Sequence, residues 1–276
     1  MGNRAMKLVF AALAALCLSP KIGQAQAPRK VQPGFYSPGV PEMPNPPGPA
    51  PKHDMTGAWV GPQKLVMGPY PEMTAAGQAA YKRNQPESPN QPWGGNDPFQ
   101  VCDPLGFPRD LIAHAVSFRG GMLVEPVGNR MLMMFEQQRT YREVWMDGRA
   151  LPQKVDAKGF PDSRYYGYSV GHWDGDNVFV IDTTGLDARV WLDETGHPHS
   201  TDAKLQERWV RPDQYDLTLT VTVDDPKYYT KPFQLISAHY YWMKDQEFEE
   251  TLCIPSEAIE YRDKVAKPST SESATR

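Results

Sequence analysis

Long apolar runs are nearly missing from this chain of 276 residues. The one that exists, Leu8 to Leu18 (LVFAALAALCL), is too short to span a bilayer core comfortably, which excludes a polytopic membrane protein. No basic patch with interleaved aromatics occurs, so nucleic acid and anionic membrane surfaces are poor partners. Catalytic signatures are missing too: there is no G-x-S-x-G elbow, no Walker loop, no G-x-G-x-x-G after a strand and no H-E-x-x-H. Serine-hydrolase, nucleotide-binding and zincin chemistry lose their usual support. Solenoids and propellers are excluded because nothing repeats at their periods. With 40% hydrophobic and 22% charged residues, the composition excludes collagen, coiled coil and a wholly disordered chain. It suffices for one sizeable core, or two small ones.

What is present begins with an export pattern. Arg4 and Lys7 precede the apolar run, and Ala25-Gln26-Ala27 follows it, as in a secretory signal peptide covering 1–27. An uncleaved anchor helix is the alternative. Leu16 before Cys17 is too large for a lipoprotein site. Without 1–27 the chain carries 26 bases against 33 acids, a net of −7. Nine of the 28 prolines fall between Pro28 and Pro51, so 28–53 is read as a proline-rich lead that cannot be helix or central strand. The mature chain keeps Cys102 and Cys253. An even pair in an exported protein suggests a disulfide, worth roughly 4–5 kcal/mol in the chain-entropy model; two buried thiols are the rival.

The domain is expected over 54–265, followed by a disordered tail at 266–276. A strand begins near Met55. Thr74 can cap a helix over Ala75–Arg83 ending at Asn84. Residues 85–109 read as a long loop pinned at Cys102. Short β-rich runs then follow between turn signals: 117–126, 131–138, 141–146, 165–173, 176–183, 204–211, 216–223, 235–243 and 247–254. Asp174-Gly175 is the strongest hairpin signal. In the run from Asp216, Leu217, Leu219, Val221 and Val223 alternate with threonines, the period of a half-buried strand. A helix over 256–265 closes the domain. The expected fold is all-β: an antiparallel up-and-down barrel of eight or nine strands, lipocalin- or calycin-like, with long loops and short helices. A sandwich is the alternative. Closure would remove exposed strand edges.

Several blocks carry a resemblance. Gly95-Asn96-Asp97-Pro98, Cys102-Asp103-Pro104-Leu105-Gly106-Phe107-Pro108-Arg109, Tyr166 to Trp173 (YGYSVGHW), Trp191 to Ser200 (WLDETGHPHS) and Asp225 to Phe233 (DPKYYTKPF) are distinctive. Together they resemble a family of exported bacterial proteins of acidobacterial and proteobacterial genomes, over about 54–255. That family has no settled activity to transfer. Gly57-Ala58-Trp59 is similar to the G-x-W start of lipocalin-like barrels, which implies architecture rather than role.

The segment from Asp182 to Ser200 holds the richest chemistry. In extended backbone His197 and His199 project to one side, and Pro198 biases His197 toward that geometry. Two imidazoles so placed could share a divalent metal such as zinc, with Asp193, Glu194, His172 or His239 as a third ligand. Without metal, Asp193 or Glu194 could orient a histidine as general base, and Arg189 could hold an oxyanion. A solvated loop clamped by an Asp–His–Arg network is the plain alternative. Among the aromatics, Trp59, Trp145, Tyr166, Tyr168, Trp173 and Trp191 could line an apolar pocket for a small ligand, or simply fill the core.

The sequence therefore points to an exported protein of the periplasm or cell exterior that binds a small molecule inside a barrel. The alternatives are a metal-dependent or acid/base hydrolase or lyase at His197 and His199, and a structural envelope or interaction protein. Stable membrane insertion is not expected, and the oligomeric state is open.

Overall fold

The computed structural model describes residues 47–86, 95–117, 121–243, 246–261 and 263–264. The expected leader, most of the proline-rich lead and the expected tail lie outside the described residues.

Nine strands close a barrel in chain order: β1 (Gly57–Met67), β2 (Gly121–Val127), β3 (Arg130–Phe135), β4 (Tyr141–Trp145), β5 (Tyr168–Trp173), β6 (Val178–Thr184), β7 (Lys204–Val210), β8 (Asp216–Asp224) and β9 (Phe233–Trp242). β9 returns to β1, with Trp59 opposite Trp242 and Met67 opposite Ile236. The all-β barrel expected from the turn signals and strand periods is therefore the fold. The period-two strand is clearest in β8, where Leu217, Leu219, Val221 and Val223 are fully buried. β7 alternates likewise, burying Leu205, Glu207 and Trp209. Pro62, which has no N–H to donate, falls where the β1–β9 register shifts between Val60 and Lys64.

One ladder departs from the expected meander. β4 and β5 run parallel, Val144 pairing with Ser169 and Trp145 with Val170. Antiparallel neighbours can be joined by a tight turn, whereas parallel ones need a crossover. The stretch from 146 to 167 is that crossover, so the barrel is mixed at this junction and not purely up-and-down.

The helices are short. α1 (Ala75–Arg83) lies as the capping pattern predicts: Gly77 N–H donates to Thr74 Oγ1 at 3.1 Å, and Asn84 ends it. α2 (Arg109–Ser117) fills the stretch between the expected loop, ending at Arg109, and the expected strand from Ser117, where no element was expected. Its apolar stretch is too short for periodicity to separate helix from strand. Packing decides, because α2 lies on β1 and adds Leu111 and Ile112 to a core that also takes Phe107. The expected strand at 247–254 is not a strand. That segment makes one parallel bridge, Gln137 with Thr251, before α3 (Pro255–Tyr261). Cys102 and Cys253 form the disulfide, with Cα atoms 5.4 Å apart. It ties the loop before α2 to the segment before α3. No helix among the described residues is long and apolar enough to cross a membrane.

Candidate functional site

The histidine loop folds back on itself. Leu192 N–H donates to the His197 carbonyl at 2.7 Å, and Trp191 bridges Pro198, with Gly196 taking a positive φ of 87° in the turn. Asp193 holds this turn from inside. Its Oδ1 accepts from Thr195 N–H at 2.9 Å, Thr195 Oγ1 at 2.8 Å and His197 N–H at 3.2 Å. Its Oδ2 takes Tyr70 O–H at 2.6 Å and lies 2.8 Å from His197 Nδ1. Burial pushes this carboxyl up, but the hydrogen bonds from His197, Tyr70 and Thr195 outweigh it and hold the pKa down to about 2. The His197 ring stacks on Tyr70 at 3.6 Å and on Tyr81 at 4.9 Å.

His199 has other neighbours. It is 1% exposed, its Nδ1 lies 3.1 Å from the Ser200 carbonyl, and its Nε2 is buried without a partner among the described residues. Burial pushes its pKa down and so favours the neutral ring. Arg189 turns to Asp187 at 2.6 Å and lies over Tyr165. Asp193 and His197 thus come together, while His199 and Arg189 have their own partners. Among the described residues no three His, Cys, Asp or Glu side chains gather around one metal position.

A second place arises from the parallel junction. β4 and β5 share two registered pairs, whereas β7 and β8 share seven. Beside that short seam lies an open cleft of about 300 Å³, lined by Tyr141, Arg142, Glu143 and Trp145 on one side and by 164–169 on the other. Three of the expected ligand aromatics line it: Trp145, Tyr166 and Tyr168. Trp59 instead sits fully buried, donating Nε1–H to the Met55 carbonyl at 2.9 Å. Trp173 packs on Phe179 and His53, and the buried Trp191 lies under Arg109. Those three fill structure rather than the cleft. Trp145 is itself covered, with Arg149 3.4 Å and Arg130 5.0 Å from its ring centre.

The floor of the cleft reaches charges inside the barrel. Arg142 donates from Nη2 to Glu207 Oε1 at 2.7 Å and to Ser169 Oγ at 3.2 Å, and from Nη1 to Glu207 Oε2 at 3.2 Å. Trp209 Nε1–H also donates to Glu207, at 3.0 Å, and Ser169 Oγ lies 2.9 Å from Thr183 Oγ1. The Arg142 guanidinium sits 4.1 Å above the Phe107 ring. Burial pushes the Glu207 pKa up, and Arg142 opposes that shift. Beside this group Tyr166 donates O–H to the buried Asp110 at 2.6 Å, with the Thr140 hydroxyl 2.6 Å away. Burial first, then the Asp110 charge, raises the Tyr166 pKa far above the tyrosine range, so it remains a donor.

Sequence reasoning missed Arg142, Glu207, Ser169 and Asp110. The signal was there for Glu207: in the alternation Leu205, Glu207, Trp209 a charge occupies an inward position. Arg142 shares a strand face with Val144 in the same way. An inward charge in a strand needs a partner inside the barrel, and each supplies the other's. No protein-family model matches this sequence, and no curated protein matches it significantly.

Proposed function

We propose that this protein is exported and binds a small molecule in the cleft between β4 and β5. The observation that carries the reading is the cleft itself. A two-pair parallel seam opens the barrel wall above a floor of buried hydrogen-bonding groups, between sides that carry aromatic residues. Concave sites with aromatic walls and a few fixed polar groups are the usual form of small-molecule sites. The leader pattern at 1–27 and the Cys102–Cys253 disulfide support an oxidising compartment, periplasmic or extracellular. The resemblance to exported bacterial proteins fits the same place.

Native mass spectrometry of protein purified from its own host tests binding. A copurified small molecule is expected, and it should be absent from a Tyr165→Ala/Tyr168→Ala variant that folds as well as the wild type. A ligand retained by that variant would move the site elsewhere.

A second reading has one specific observation behind it. Asp193 holds His197 Nδ1, so Nε2 is the nitrogen left for proton transfer. Acid/base hydrolase or lyase activity would then fall on His197, with Asp193 as its orienter. Turnover of a simple ester such as 4-nitrophenyl acetate, abolished by His197→Ala and kept by His199→Ala, would favour it. Wild-type protein no faster than buffer would end it.

A further inference from the structure

The carboxylates at the cleft are already engaged. Beneath it Glu207 receives Arg142 and Trp209, and Ser169 also receives Arg142. Glu143, the one carboxylate lining the cleft, is paired with Arg130 at 2.6 Å. Arg142 is 2% exposed at its side chain and keeps a buried Nε–H with no partner among the described residues. At the rim, Arg164 lies 5.5 Å over the Tyr168 ring and has no carboxylate partner among the described residues. It is the cation that the surrounding ion pairs leave uncompensated.

Those facts constrain the ligand's chemistry. A cationic ligand would meet the exposed Arg164 guanidinium and find no free carboxylate lining the cleft. A neutral one would leave Arg164 unmatched. An oxyanion supplies Arg164 with an acceptor, and a planar carboxylate fits the fork of a guanidinium in a bidentate manner. Tyr165 and Tyr168 line the cleft beside Arg164, and aromatic lining suits a flat body. A space of about 300 Å³ is at the small end for ligand sites, which points to one ring rather than several.

We infer that the cleft between β4 and β5 takes a small single-ring organic carboxylate, its carboxylate engaged by Arg164 at the rim and its ring against the tyrosine walls. This rests on the reading of the cleft as the ligand site and names the class of ligand. Glu143 does not contradict it, since Arg130 already neutralises that charge.

The test is a matched series of probes, 4-hydroxybenzoate, 4-hydroxybenzamide and 4-hydroxybenzyl alcohol, titrated into the full mature chain. Amide resonances of 141–145 and 164–169 report where each binds, and the shifts give its affinity. The carboxylate is expected to bind at least about tenfold more tightly than the amide or the alcohol. Arg164→Gln should remove most of that difference, and Arg164→Lys should keep part of it. Because Arg164 is exposed, neither substitution should alter the melting temperature. If the three probes bind the cleft equally, the carboxylate assignment is wrong and the cleft stands. If none shifts these resonances at concentrations up to about 10 mM, or if the shifts fall elsewhere, the cleft reading fails together with it.

Discussion

Asp193 is the residue whose ionisation the fold uses most visibly. Buried among donors from Tyr70, Thr195 and His197, it titrates near 2 when folded, against an ordinary value of 3.8. A carboxyl with a depressed folded pKa adds stability that is complete above its unfolded pKa and is lost as pH falls through the folded one. The contribution is about 2 kcal/mol, lost between about pH 4 and pH 2. Asp193→Asn should therefore flatten the acid side of the stability curve. Urea unfolding of wild type and variant at pH 5 and pH 2 measures this, and parallel curves would refute it. Arg142 and Glu207 pose a different residue-scale question, because a buried pair costs desolvation on both sides. Glu207→Ala should lose about 3–5 kcal/mol by leaving Arg142 unpaired inside the barrel. Replacing both, as Arg142→Met with Glu207→Leu, should recover most of that loss in urea unfolding. A double variant as unstable as the single would mean that the pair itself stabilises the fold.

At the scale of elements, the seam between β4 and β5 is the thinnest part of the wall. Its two registered pairs contrast with the long ladder of β7 and β8. Opening the seam breaks few hydrogen bonds, so local fluctuation should concentrate there. Native-state hydrogen exchange should show amides of Trp145 and Ser169, which face the seam, exchanging at least about tenfold faster than those of Leu219 and Val221. Equal protection would mean that the barrel opens only as a whole. The same seam marks what the sequence could and could not convey. β8 and α1 were legible because each carries a local pattern, an alternation of leucines and threonines or a capping threonine before a short helix. The parallel pairing was not, since strand direction at 146–167 depends on where the connection returns, and no local residue encodes that. α2 was hidden because Leu111-Ile112-Ala113 suits either a helix or a strand until Phe107 and β1 provide a surface. Among site residues, Asp193 and His197 were found because they lie close in sequence. Arg142 and Glu207 meet only across the closed barrel.

For the whole molecule, two closures hold the chain: the ladder of β9 on β1, and the disulfide between Cys102 and Cys253. They act on different states. The ladder and its core stabilise the folded barrel directly. The disulfide spans a sequence separation of 151 residues and acts mainly by narrowing the unfolded ensemble, worth about 5 kcal/mol in the chain-entropy model. A domain's net stability is of order 5–15 kcal/mol, so this one bond is a large share of it. Strand order does not depend on it, because β1 to β9 close without either cysteine. Cys102→Ser with Cys253→Ser should therefore fold to the same barrel and melt lower, by about 10 °C or more for a domain of this size. Its far-ultraviolet circular dichroism should match that of the wild type at low temperature. Wild-type protein treated with reductant should melt where the variant does. If the variant melted with the oxidised wild type, the restraint on the unfolded chain would be negligible. The stability of the barrel would then rest on its closed sheet and core alone.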